Sequence, residues 1–262
     1  MPQLFDYRLR AMRRDRAARI GPELFLLDRA FADCAERIAL VQRSFERALL
    51  IGCPDPAWPE QLRPTGANVE VYDPGPLFAE RAGGSVIVED QWRPEDSFDL
   101  VVAVGTLDTV DGLPQALRLI ASVMRPDSLF IGAISGGDTL PLLRGAMRGA
   151  DQVEGEAQPH VHPRIEASAL CPLLAAAGFA MPVADVDRVQ VSYPSLTRLV
   201  SDLRAMGATN ILNARPRKSL TRAALAAAEE AFMAGAAGGR AVETFEILHF
   251  AAWTPASRQE ER

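Results

Sequence analysis

Apolar and polar positions alternate with two different periods along the first half of the chain. Steps of three and four residues connect Phe31, Cys34, Ile38, Val41 and Phe45, which predicts an amphipathic helix over residues 30–45. Short apolar runs predict buried strands at residues 47–51, 68–72, 85–88, 98–104 and 129–134. A helical pattern over residues 113–124 separates the last two. Strands that alternate with helices indicate a parallel, doubly wound α/β sheet.

The second half of the chain is less regular. Helical patterns cover residues 139–148, 167–177, 196–206 and 220–233, and β-rich runs cover residues 183–191 and 243–253. The last two runs bring the predicted sheet to seven strands. We interpret residues 1–262 as a single domain, with an N-terminal arm over residues 1–29 and helical lid or substrate-side segments over residues 138–178 and 195–240.

Composition narrows the class of protein. Nearly half of the 262 residues are apolar, enough for one large core, but no run approaches the ~20 residues of a membrane helix. No secretory leader is evident, and the three scattered cysteines fit a reducing compartment rather than a disulfide framework or a zinc site. We therefore predict a cytoplasmic protein. The formal charge of −6 argues against general nucleic-acid binding.

The N-terminal arm is the basic exception. Its residues 8–19 contain six arginines, at Arg8, Arg10, Arg13, Arg14, Arg16 and Arg19. Because a run of like charges usually faces water, we expect a solvated, partly helical arm. The alternative is contact with an anionic partner or with a membrane surface.

Candidate ligand-binding residues follow the predicted strands. In a doubly wound sheet the ligand lies beyond the carboxyl ends of the strands, which here are Gly52, Asp73, Glu89, Asp90, Gly105 and Thr106. A carboxylate at the end of the second strand can accept two hydrogen bonds from a ribose diol, so Asp73 is a candidate ribose ligand. The alternative is ordinary turn chemistry in Asp73-Pro74-Gly75.

Several sequence blocks resemble the class I S-adenosylmethionine (SAM) dependent methyltransferases. Residues 47–53 lie where those enzymes carry Leu-Asp-Leu-Gly-Cys-Gly-x-Gly, and residues 98–102, 113–117 and 124–127 resemble their later blocks. The methyltransferase that esterifies malonyl carrier protein shares them. Residues 132–140, 159–163, 189–194 and 206–210 narrow the resemblance to the methyltransferase-like assembly factors of respiratory complex I, over about residues 4–253. The mitochondrial member of that family is regarded as an arginine hydroxylase.

The resemblance implies an enzyme with the fold of the class I methyltransferases, SAM as cofactor and a protein partner, such as a complex I subunit. The implied cofactor pocket consists of Gly52, Cys53, Asp55, Asp73, Glu89, Asp90, Gly105 and Thr106. The implied acceptor side consists of Asp138, His160, His162, Gln190, Tyr193 and Asn210. Gln190 and Tyr193 have an alternative role at the end of a strand, before Pro194 begins the next helix.

The chain departs from the family in the cofactor half. Leu50 replaces an acid, and Pro54 and Pro56 replace two glycines that let the backbone approach the ligand closely. Asp108 and Thr109 stand where relatives carry His-Trp. A cofactor still fits if Asp55 takes over contacts to its amino group. Two other functions stay open: a binding or assembly module that no longer binds SAM, and a small-molecule methyltransferase.

Two further motifs have a chemical and a structural interpretation. Gly136-Gly137-Asp138 precedes a helical pattern, so Asp138 is predicted to cap a helix whose N-terminus could also hold an anion. Hydroxylation would usually need a metal, and the candidate iron ligands are His160, His162, Asp138 and Glu156. We expect instead no metal and a solvated pair of loop histidines. His249 lies on the predicted last strand and should be packed there.

Overall fold

The central sheet contains seven strands in the computed structural model, which describes residues 3–93 and 97–256. Their spatial order is β3-β2-β1-β4-β5-β7-β6. The first five are parallel, and β7 inserts antiparallel between β5 and β6. The strands are β1 Arg47–Ile51, β2 Asn68–Asp73, β3 Ser85–Val86, β4 Phe98–Val104, β5 Met124–Ser135, β6 Ala180–Tyr193 and β7 Ala241–Trp253. The predicted doubly wound α/β sheet is therefore confirmed, with an antiparallel edge.

Helices cover both faces of this sheet and form a further apolar cluster. In the described ranges they are α1 Tyr7–Ile20, α2 Phe25–Leu40, α3 Trp58–Leu62, α4 Pro76–Arg81, α5 Leu113–Ser122, α6 Pro141–Glu154, α7 Ala167–Ala176, α8 Leu196–Ala205 and α9 Arg222–Met233. Helices α5 and α7 pack on one face of the sheet and α2 and α3 on the other. Helices α6, α8 and α9 form a separate apolar cluster, which we term the lid.

Strand β4 explains why the centre of the sheet has no polar face. All seven of its residues are buried, as expected for a parallel strand covered by helices on both sides. Its neighbour β1 exposes only Arg47 in part. The two helical layers therefore leave the carboxyl ends of the strands as the place where a polar site can form.

The bounds of several predicted elements differ from the observed ones, and two of them show why. Helix α2 begins at Phe25 and ends at Leu40, because Val41 adopts an extended backbone with φ −76° and ψ 114°. Phe45, predicted as part of this helix, is instead buried just before β1. Strand β3 has two residues rather than four, since it pairs only with Tyr72 and Asp73, where β2 ends.

The N-terminal arm is not solvated as expected. It forms helix α1, whose N-cap Asp6 accepts a hydrogen bond from the Leu9 N–H at 2.9 Å. Arg10 and Arg14 are 5% and 6% exposed. One turn of helix separates them, so both side chains lie on one face and point into the protein. Burying two cations requires acids opposite them, and the sheet edge supplies these.

Helix α6 is capped by a residue that the sequence did not indicate. It begins at Pro141, after Leu140 with φ 62°, and Asp138 makes no capping hydrogen bond. The carboxylate of Glu243 on β7 accepts from the N–H groups of Leu142 and Leu143, at 3.2 and 2.9 Å. Asp138 is exposed and pairs with Arg188 at 3.0 Å. The predicted Asp138 cap is therefore wrong.

Within the described residues, the helices are too short or too polar to cross a membrane.

Candidate functional site

The candidate cofactor residues meet at one edge of the sheet, where β1, β2 and β4 end. Gly52 follows β1 with φ 82°, and a Cβ there would lie 2.3 Å from the carbonyl oxygen of Val104. Its N–H donates to the Tyr72 carbonyl at 2.8 Å. Glycine is required at this position by close contact between neighbouring strands as well as by the backbone angle.

Asp73 lies at the centre of this edge and is fully buried. Its Oδ1 accepts hydrogen bonds from Arg14 Nε at 2.8 Å and from the Gly75 N–H at 2.6 Å. Its Oδ2 accepts from Arg14 Nη2 at 2.5 Å and from the Cys53 N–H at 2.8 Å. A carboxylate offers about four acceptor positions, and all of them are in use.

A second arginine of α1 makes a parallel contact one turn away. Arg10 donates to both oxygens of Glu89, at 2.8 and 2.6 Å, and to the Thr106 carbonyl at 2.8 Å. Burial lowers the pKa of Arg10, but the adjacent Glu89 carboxylate outweighs it and leaves that pKa above its ordinary value. Arg10 therefore stays charged inside the protein.

Tyr7 and Asp90 close the outer end of the same interface. The Tyr7 hydroxyl donates to Asp90 Oδ2 at 2.8 Å and accepts from the Asp111 N–H at 2.7 Å. Asp111 Oδ1 in turn accepts from the N–H groups of Leu4 and Phe5, both at 2.8 Å. Burial, with Asp90 and Asp111 nearby, raises the pKa of Tyr7. Helix α1 is thus fixed to the sheet edge at three successive points.

The residues at this edge do not fit SAM in the arrangement described. The carboxylate that would hold the ribose has its acceptor positions filled by Arg14 and two backbone N–H groups. The cavity beside Arg10, Arg14 and Gly105 measures about 130 Å³, below the ~300 Å³ at which ligand pockets usually begin. SAM would need the side chains of α1 to withdraw.

The loop after β1 packs inward. Asp55 Oδ1 accepts from the Ala57 N–H at 2.8 Å, and the following Trp58 stacks on Phe31 with ring centroids 4.3 Å apart. Burial, together with Asp73 and Asp55, raises the pKa of the Cys53 thiol, which keeps it protonated and unreactive. The proposed contact of Asp55 with a cofactor stays a prediction.

Asp108 forms a buried ion pair with Arg164. Their side chains are 8% and 7% exposed. Both line the cavity of about 130 Å³. Two opposite charges therefore pair with each other in the wall of this cavity.

The six predicted acceptor-side residues do not form one site. His160, His162 and Asn210 line a second cavity, of about 470 Å³, between α1 and the lid, which we term the lid cavity. Asp138 and Gln190 are exposed, on the loop before α6 and on β6. Tyr193 is buried in the apolar cluster of the lid. Its role at the end of β6, rather than in a pocket, fits this position.

The two histidines are neither a solvated pair nor a shared metal site. His162 is 4% exposed and its Nε2 accepts from the Ile211 N–H at 2.9 Å, while His160 Nε2 lies 2.8 Å from Asp151 Oδ1. In the part of the chain that the structure describes, no three His, Cys, Asp or Glu side chains come close enough to hold a metal ion. His160, His162, Asp138 and Glu156 are therefore not brought together as ligands.

The pKa of His162 follows from its surroundings. Burial, followed by the positive charges of Arg13, Arg144 and Arg10, lowers that pKa to about 4. A neutral His162 is required for the hydrogen bond from Ile211, since a protonated ring has no acceptor. His249 is buried on β7 as predicted, and burial lowers its pKa as well.

Sequence reasoning missed the arginines as site residues, although their spacing was available. Arg10 and Arg14 are four residues apart, with Tyr7 one turn earlier, so a helix over this segment places all three on one side. The charge run concealed this signal, because six arginines in twelve residues favour a solvated helix. Arg164 carried no comparable signal.

The class of protein follows from the fold, from the site at the carboxyl ends of β1, β2 and β4, and from comparison with known proteins. A family profile described as "Methyltransferase domain" matches residues 24–182, more than half of the chain. The solved N-methyltransferase NodS of Bradyrhizobium japonicum, in complex with S-adenosyl-L-homocysteine, superposes with a TM-score of 0.50 at 16% identity, covering 94% of this chain and 98% of NodS. The chain therefore belongs to the methyltransferase domain family, for which SAM is the family-level cofactor.

Curated relatives place the chain more narrowly. The mitochondrial arginine-hydroxylase NDUFAF5 of Danio rerio is 33% identical over 254 residues, which is 90% of this chain and 77% of the relative. The malonyl-acyl-carrier-protein O-methyltransferase of Laribacter hongkongensis is 34% identical over 187 residues, 70% of this chain and 60% of that enzyme. Within the methyltransferase domain family, the chain thus belongs with the NDUFAF5 proteins.

Proposed function

We propose that this protein is a methyltransferase-fold binding module that acts on a protein partner without SAM, with its own helix α1 in the cofactor site. One observation carries the proposal: Arg14 and two backbone N–H groups fill the acceptor positions of Asp73. Pro54 and Pro56 supply no N–H groups in the loop that would contact a cofactor. The family membership makes a respiratory complex I subunit the partner to test first.

Titration calorimetry with SAM and with S-adenosylhomocysteine tests the closed cofactor site. The wild-type protein should give no binding heat up to millimolar ligand. Micromolar binding by the wild type would overturn the proposal. For the arginine variants of α1 described next, Arg19→Met serves as the control. Arg19 is an exposed residue of the same helix, and the change also removes one positive charge.

A second candidate function is methyl transfer after α1 withdraws. It is favoured by the acids themselves, since Asp73 and Glu89 stand at the carboxyl-end edge of the sheet, where a cofactor is expected, while they pair with Arg14 and Arg10. If α1 is a removable cover, the double variant Arg10→Ala/Arg14→Ala should bind SAM where the wild type does not. Binding to neither protein leaves the module as the function.

The partner is tested in cells that lack the gene. If the protein is a binding module for a complex I subunit, assembled complex I should decrease on native gels of these cells and should return when the wild-type gene is restored. It also predicts that complex I subunits have the same masses with and without the gene. An added methyl group or oxygen atom that depends on the gene would show catalysis. Undiminished complex I would remove this partner.

A further inference from the structure

The face of α1 opposite the sheet edge carries cations that have few acids near them. Arg13 points toward the lid cavity, and its Nη1 is buried with no hydrogen-bond partner among the described residues. Burial lowers the pKa of Arg13 to about 10, and the charges of Arg16, Arg215 and Arg204 act in the same direction against Asp6. Buried polar groups are normally paired, so this guanidinium lacks a partner that a ligand could supply.

The lid cavity itself combines this charge with an apolar wall. Four arginines line it, Arg13, Arg164, Arg204 and Arg215, of which Arg164 is paired with Asp108, and none of its described lining residues is an acid. Arg215 is partly compensated by Asp6 at 3.2 Å, whereas Arg204 is exposed and forms no ion pair in the described ranges. The remaining wall is mostly aliphatic, with Leu143 and Met147 from α6 and Leu225 from α9.

Helix α8 gives the cavity a direction. Leu196, Val200 and Arg204 all line it, and they are spaced by four residues, so they form one stripe along the helix. The stripe changes from apolar to cationic over ~12 Å, the rise of eight helical residues. A ligand that matched it would carry an anionic group at one end and an aliphatic chain along the rest.

We propose that the lid cavity binds an aliphatic anion, with its carboxylate or phosphate group between Arg13 and Arg204 and its chain along Val200. A volume of about 470 Å³ lies within the ~300–1,000 Å³ usual for small-molecule pockets. A cationic ligand is disfavoured, because it would meet several arginines and no acid. This site does not depend on the proposed function, since it needs α1 docked and no cofactor.

Decanoate is the probe, used below its micellar concentration in titration calorimetry with the full-length protein. It should bind the wild type with micromolar to submillimolar affinity, while decyltrimethylammonium, which has the same chain and the opposite charge, should not bind. Decyl phosphate should bind at least tenfold more tightly than inorganic phosphate, which has no chain. Equal binding of the two decyl ions of opposite charge, or of the two phosphates, would overturn the proposal.

Two variants locate the ligand. Arg13→Met should weaken decanoate binding about tenfold or more, because a charge-assisted hydrogen bond is lost, whereas Arg19→Met removes the same charge from the exposed face and should have little effect. Val200→Glu places an acid in the aliphatic wall and should abolish decanoate binding. Unchanged affinity in a folded Arg13→Met or Val200→Glu protein would overturn the site. So would an acidic amphipathic peptide that binds where decanoate does not.

Discussion

Arginines on the two faces of helix α1 have opposite surroundings. Toward the sheet edge, Arg10 and Arg14 each form a bidentate ion pair with a buried acid. Toward the lid, Arg13 has a buried nitrogen with no partner, beside other arginines. A buried charge is tolerated only when it is paired, so the first face is a finished structural contact and the second is incomplete without a ligand.

Breaking the paired face should have the largest effect. Arg14→Met leaves the Asp73 carboxylate buried without its cation, so the free energy of unfolding should fall by ~3–5 kcal/mol in urea titrations. Gly75 packs closely against the Arg14 side chain, since a Cβ at position 75 would lie only 2.7 Å from Arg14 Cβ. Little space is therefore left for another group to approach the Asp73 carboxylate in place of Arg14. Arg19→Met is the control, with a change below ~0.5 kcal/mol. Equal stabilities would mean that the pair does not hold α1 in place.

Protonation of His162, on the lid side of α1, should have the next largest effect on the free energy of unfolding. The pKa of His162 is about 4 in the folded protein and ~6.5 when unfolded, so the unfolded state binds more protons between these values. The free energy of unfolding should therefore decrease as the pH falls from ~6.5 to ~4, by roughly 3 kcal/mol.

His162→Gln isolates that effect from the titration of the carboxylates. Glutamine keeps an oxygen that can accept the hydrogen bond from the Ile211 N–H but cannot be protonated in this range. Urea unfolding of both proteins at several pH values should give a smaller pH dependence for the variant. Parallel curves would contradict the assigned pKa of His162.

A smaller difference in stability is expected between Glu243, which caps α6, and Asp138, which the sequence predicted as its cap. Glu243→Ala removes the acceptor of the Leu142 and Leu143 N–H groups and should cost ~0.5–2 kcal/mol. Asp138→Ala removes only an exposed contact with Arg188 and should cost less than ~0.5 kcal/mol. Thermal or urea unfolding compares the pair, and the reverse order would restore Asp138 as the cap.

The smallest change should come from the unpaired face itself. Arg13→Met removes a half-buried cation that has no hydrogen-bonded partner at Nη1, so the free energy of unfolding should stay within about 0.5 kcal/mol of wild type or increase. Measured beside Arg14→Met in the same urea titration, it tests the comparison directly. A loss as large as that of Arg14→Met would show that both faces stabilise the fold alike.

Much of the fold could be predicted from local pattern. Strand β1 and β4 were predicted with their observed bounds, because continuous apolar runs bounded by turns define buried strands. The boundaries of α2 and the length of β3 could not be predicted in this way, since they depend on where a neighbouring element stops. The helix cap was missed for a similar reason: Glu243 lies about 100 residues from the N–H groups it satisfies.

The sequence by itself determined that parallel strands would bring Gly52, Asp73 and Glu89 to one edge, because the carboxyl ends of such strands meet there. It also determined that the loop after β1 would lack the N–H groups that prolines remove. Only the tertiary structure decided what those acids bind. Arg14 and Asp73 are 59 residues apart, and no local pattern specifies which cation fills a buried carboxylate. That choice follows from desolvation, which makes a buried charge stable only beside the partner that the folded chain places there.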